Sequence, residues 1–108
     1  MIKAYYKLVR DNIVQIIRKS GKKVVFYKLK PKNFNHYLKI KLKEEVEEIL
    51  KSNSKNKTVE RIGDILDIIE YISYESNISQ REIANSRKYK NKTKGGFKNK
   101  SFLVLTKD

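Results

Sequence analysis

The apolar positions of this chain fall into four stretches of helical spacing and two short runs of β-forming residues. In DNIVQIIRKSGKK, Ile13, Ile16 and Ile17 share one face of a short helix; Asp11 can cap its start, and Gly21 suits the position just past its end. The segment near 23–28, carrying VVFY, then reads as a strand that ends before Pro31. Pro31 fits the first turn of a second helix, predicted to run to Leu50 or Lys51. SNSKNK reads as a polar loop, and a third helix is predicted from about Thr58 to Glu75, with a break at Ser76-Asn77. Ser79 and Glu82 then form an S-x-x-E capping box, flanked by Ile78 and Ile83 at the staple positions. That fourth helix is predicted to reach about Lys94 and to stop at Gly95-Gly96. The segment 101–105, within SFLVL, reads as a second strand whose natural partner is 23–28; two strands alone are marginal and must lie on the helices. The pattern predicts a mainly α domain over residues 1–108: an antiparallel helical bundle with a small two-stranded β element.

One residue breaks the pattern. At about 100° per residue, Leu38, Leu42 and Ile49 form a narrow stripe on the second helix, and Glu45 projects into the same stripe. A carboxylate on a core-facing stripe is costly unless something positive meets it. Glu48 lies on the border with Lys41, Glu44 farther round, and Glu47 nearly opposite, where solvent explains it. On the third helix Ile62, Ile65, Leu66, Ile69 and Ile72 form a broad apolar arc, while Glu60, Asp64 and Asp67 cluster on another face. Such a cluster is either a solvated acidic face or a set of oxygen ligands for a hard divalent ion, which would relieve the repulsion between neighbouring like charges.

Charge sharpens the anomaly. The formal net charge is +14, yet seven of the twelve carboxylates stand in Glu44, Glu45, Glu47, Glu48, Glu60, Asp64 and Asp67. The basic excess fits a surface for nucleic acid, a field that attracts a small polyanion, or the Lys-, Ile- and Asn-rich usage of an AT-rich genome. Lys far outnumbers Arg, so the bidentate side chain of base and phosphate recognition is scarce. Nucleic acid is therefore a lesser reading, kept open by the charge. The absence of Cys excludes disulfides and thiolate chemistry. No stretch approaches the roughly 20 apolar residues of a membrane span, and the first residues lack a signal peptide's apolar run, so a soluble cytoplasmic protein with no membrane partner is expected.

Three blocks carry a family resemblance. YKLVRDNIVQII, the KEEVEE helix followed by VERIGD, and RKYKNKTKGGFKNKSFLVL together resemble the all-α nucleotide pyrophosphohydrolases. These form the MazG-like and phosphoribosyl-ATP pyrophosphohydrolase-like superfamily, and the likeness is to a small single-domain branch of it. The resemblance spans nearly the whole chain and implies hydrolysis of a nucleotide to its monophosphate and pyrophosphate with Mg2+, or Mn2+ as a substitute. It also implies a homodimer or higher homo-oligomer. Carried over residue by residue, it makes Glu45, Glu48 and Asp64 metal ligands, Glu45 and Glu44 catalytic carboxylates, and Lys7, Arg10, Asp11, Lys90 and Lys94 substrate contacts, with Arg87 in reserve. The sequence departs from the family's E-x-x-D motif, because Arg61 stands where the Glu is expected. Glu60 and Asp67 are then the substitutes for the missing ligand, and Arg61 can instead face a phosphate. His36, near a helix start with no Ser or Cys partner in sight, reads as a surface or packing residue.

Overall fold

Pro31 at the first turn, a long run of good helix formers and the absence of any interior Gly or Pro give the longest uninterrupted helical signal in the chain, and a helix forms over it. The computed structural model describes all of residues 1–108 and contains four helices: α1 Ile13–Lys19, α2 Pro31–Lys51, α3 Lys55–Glu75 and α4 Gln80–Thr93. The chain divides into two units, Met1–Asn77 and Ile78–Asp108.

In the first unit α2 and α3 form an antiparallel hairpin through the turn Ser52-Asn53-Ser54. Ser54 caps α3, its hydroxyl accepting from the Lys57 N–H at 3.2 Å. This cap extends the helix upstream of the predicted start at Thr58. The residues from Lys55 onward are helical because a serine oxygen, rather than solvent, takes up one of the first free N–H groups. The Thr58 hydroxyl donates back to the Ser54 carbonyl at 2.9 Å and lies 3.1 Å from the Ser52 hydroxyl. At the other end of the hairpin, the Phe34 ring meets Tyr71 edge-on with centroids 6.4 Å apart. Between these ends Leu38 of α2 and Ile68 of α3 are the buried apolar residues.

The apolar arc of α3 is split by this packing. Ile65, Ile68 and Ile72 turn inward, whereas Val59, Ile62, Leu66 and Ile69 stay exposed. Of the arc predicted from spacing, the hairpin uses Ile65 and Ile72, and it buries Ile68, which that arc did not include.

Helix punctuation follows the local chemistry. Gly21 and Gly95 adopt φ of +91° and +79°, the left-handed conformation that ends a helix without a Cβ penalty. Asn77, in the predicted break, is also left-handed at φ +56°. Asp11 does not cap α1: the N-cap position is Asn12, in a helical conformation with no side-chain cap. In the second unit the Ser79 hydroxyl accepts from the Glu82 N–H at 3.1 Å, and the Glu82 carboxylate accepts from the Ser79 N–H at 2.7 Å. The capping box is complete, and α4 ends at Thr93 with Lys94 as its C-cap.

The two-stranded β element is not formed. Segments 23–28 and 101–105 have no strand pairing, and Val25, Phe26, Tyr27 and Phe102 to Leu105 are exposed. Their β propensity is context-dependent and cannot by itself supply a ladder. In the first segment the Arg18 guanidinium sits over the Phe26 ring at 5.5 Å, a local contact in place of a sheet neighbour.

Candidate functional site

The misplaced carboxylate is buried as its spacing predicts. Glu45 retains 5% of its accessible surface, in line with Leu38 on the face of α2 that meets α3. Its partner is Arg61 of α3. Arg61 Nη1 donates to Glu45 Oε2 at 3.2 Å and lies 3.7 Å from Asp64 Oδ2. Glu48, exposed on the border of α2, adds an attractive field at the same guanidinium. The hydrogen bond that Arg61 donates to Glu45, then the charge of Glu45, raise the Arg61 pKa above its already high ordinary value. The cation is therefore permanent. Glu45 and Asp64 are brought together at the Arg61 guanidinium, while Glu48 makes no ion pair with it.

A second arginine extends the network. Arg10 Nη2 donates to Asp64 Oδ1 at 2.7 Å and to Asp67 Oδ2 at 2.9 Å, tying the segment before α1 to α3. These two bonds, Asp64 first, raise the Arg10 pKa as well. Charges alternate along the chain of contacts Glu45, Arg61, Asp64, Arg10, Asp67. This alternation answers the like-charge repulsion of α3 that the sequence leaves unrelieved.

The other candidates are more dispersed. Glu44 is half-buried and lies 3.7 Å from Lys41 Nζ. Glu47 and Glu60 are exposed and make no ion pair, and neither does Asp11. Lys7 reaches over the Tyr5 ring at 5.4 Å. His36 is exposed, with its ring edge-on to Tyr37 at 5.3 Å. In the second unit Arg87, Lys90 and Lys94 are exposed; Lys90 and Lys94 occupy successive turns, the Lys94 N–H donating to the Lys90 carbonyl at 2.8 Å.

Spacing calls for a positive partner for Glu45 and puts Arg61 near the cluster, but does not join the two. The available signal was that Arg61 is the sole arginine of α3 and stands one turn before Asp64. Arg10, expected as a substrate contact, has its partners more than 50 positions away, beyond the reach of any local pattern.

The carboxylate set suits a hard divalent cation in chemistry, being all oxygen donors contributed by two facing helices. In the arrangement observed, no group of three acidic side chains is placed to hold an ion. Glu45 and Asp64 are engaged by Arg61, and Asp64 and Asp67 by Arg10, while a third of the Arg61 side chain is open to solvent. Comparisons with family models, with curated proteins and with solved structures return no match for this chain.

Proposed function

We propose that the chain is a nucleotide pyrophosphohydrolase of the MazG-like type, cleaving the α–β phosphoanhydride of a nucleoside triphosphate or related nucleotide to the monophosphate and pyrophosphate. The observation that carries this reading is Glu45, a buried carboxylate on the core face of α2 that shares one contact point with Asp64 of α3. Burying a carboxylate there costs stability that an apolar residue would not, and a function that needs the carboxylate would account for its being kept. The resemblance of the KLVRD, KEEVEE and GGF blocks supports the same assignment.

In this proposal Glu45, Glu48 and Asp64 hold magnesium, and Glu44 serves as general base or as a partner that orients water. Bound magnesium would supply charge neutralisation at the phosphoryl oxygens and activation of the attacking water. Lys7 and Arg10 in the first unit, and Lys90 and Lys94 in the second, are the cations proposed to meet phosphate. Arg10 takes that role by exchanging Asp64 and Asp67 for phosphate oxygens, to which its planar fork donates equally well.

A second reading has its own support. The Arg61–Glu45 contact neutralises the cluster from within, as in a relative that binds nucleotide, or a protein, without hydrolysing it. Pyrophosphate release across a nucleotide panel with magnesium, for the wild type and for Arg61→Glu, separates the two. The first reading expects wild-type turnover that is lost in Glu45→Gln; turnover in Arg61→Glu alone would sink it.

We also propose self-association, most simply as a homodimer. Two buried apolar residues are a small core for two long helices, and Val59, Ile62, Leu66 and Ile69 leave one apolar side of α3 open. Sedimentation should give a dimer mass for the wild type and a monomer for Leu66→Glu.

A further inference from the structure

We infer that the Arg61 guanidinium is the resident cation of the α2–α3 carboxylate cluster, so that a divalent ion can bind there only by displacing it. The inference rests on the proposed use of Glu45, Glu48 and Asp64 as an ion site, and it adds a competitor built into the chain. Three observations place it. Arg61 Nη1 is 3.2 Å from Glu45 and 3.7 Å from Asp64, so its charge occupies the point on which carboxylates of two helices converge. Glu45 is buried and has no other polar partner, so Arg61 is what makes its burial tolerable. The Arg61 side chain stays a third open to water, which gives it an exit.

The electrostatics are those of exclusion. A divalent ion a few ångströms from a fixed guanidinium meets repulsion twice that between two unit charges. The carboxylates cannot serve both cations at full strength. Arg10 does not relieve the conflict, because its bonds to Asp64 and Asp67 subtract further from the charge left for an ion. The hairpin should therefore stand without any divalent metal, and removal of Arg61 should create a dependence on one.

The test uses the full chain and Mn2+ alone, followed by electron paramagnetic resonance, with thermal melts in EDTA and in millimolar MgCl2. The wild type should bind Mn2+ weakly and melt at the same temperature in both buffers. Arg61→Gln should bind Mn2+ roughly tenfold tighter or more, the scale expected from loss of one adjacent unit charge. It should also melt lower than the wild type in EDTA and recover in MgCl2. The double variant Glu45→Gln, Arg61→Gln removes the buried charge together with its partner. It should stay folded and lose the gained Mn2+ affinity, which keeps the test decisive if the single variant unfolds in EDTA. Equal Mn2+ affinity in the wild type and Arg61→Gln would overturn the competition while leaving the ion site standing. Failure of folded Arg61→Gln to bind Mn2+ would overturn both, and so would double-variant binding equal to that of Arg61→Gln.

Discussion

The α2–α3 hairpin and the α4 unit are both helical, yet different interactions hold them. In the hairpin, contacts join residues far apart in sequence: Leu38 and Ile68 are buried, Phe34 meets Tyr71, and Glu45 meets Arg61. In the α4 unit the hydrogen bonds close within four residues, from the capping box to the Asn91 side chain on the Arg87 carbonyl and the Thr93 hydroxyl on the Tyr89 carbonyl. Charge separates the two regions in the same way. Nine of the twelve carboxylates are on α2 and α3, whereas Glu82 and Asp108 are the acids of the second unit. Arg87, Lys88, Lys90, Lys92 and Lys94 crowd α4 without acidic neighbours, so that helix leans on its caps. In so basic a protein, long-range order gathers where the carboxylates are.

Core truncation should break this comparison most visibly. Leu38→Ala or Ile68→Ala is expected to lower the unfolding free energy by about 2–4 kcal/mol, through lost burial and a residual cavity. Tyr89→Ala on α4 should stay within about 0.5 kcal/mol, as an exposed substitution. Urea denaturation of the three variants gives the numbers, and similar losses in all three would erase the distinction between the regions.

The two serine caps sharpen it, because their chemistry is the same. Ser54→Ala and Ser79→Ala each remove an acceptor worth about 1 kcal/mol. The first should speed amide exchange throughout α2 and α3, since Ser54 also anchors the turn between them. The second should speed exchange in α4 alone. Spreading of the Ser79→Ala effect into α2 would show that the regions are energetically one.

A smaller effect is expected at Arg10. Its guanidinium is well exposed, and Arg10→Ala should cost no more than about 1 kcal/mol, a difference that shrinks as salt is added. Nuclear magnetic resonance should show the segment before α1 losing its order while the hairpin persists. The smallest effect concerns Glu82. Its carboxyl is held below the usual range first by the Ser79 N–H, then by the Ser79 hydroxyl. The stabilisation is therefore fully present above about pH 4.3, the ordinary Glu value, and is lost as pH falls through the lower value in the folded state. A carbon-detected titration of Glu82 should show the depressed midpoint, and Glu82→Gln should abolish the acid-dependent fraying of α4.

Much of the local architecture was legible in the sequence because it is encoded locally. Pro31 opens α2, the Ser79–Glu82 box opens α4, and Gly21 and Gly95 close their helices from their own backbone needs. Glu45 was legible too, as a polar residue in an apolar stripe. Three things were not. The strands at 23–28 and 101–105 depend on a pairing that propensity cannot guarantee. The inward face of α3 depends on its rotation against α2, which an arc wide enough for two neighbours leaves undetermined. The reach of Arg10 to Asp64 and Asp67 is a tertiary fact with no periodic trace.

The serine turn between α2 and α3 carries a consequence of its own. Surface turns commonly absorb an inserted residue; where this turn keeps its three-residue geometry, a single insertion after Asn53 would shift the α3 sequence one place along the helix, about 1.5 Å along its axis and about 100° around it. Arg61 would swing away from Glu45, and a neighbouring side chain of α3 would be dealt into its place. A span of three small polar residues therefore sets the phase of the whole charge network, and chain length at this turn is as much a part of the site as the charged residues are.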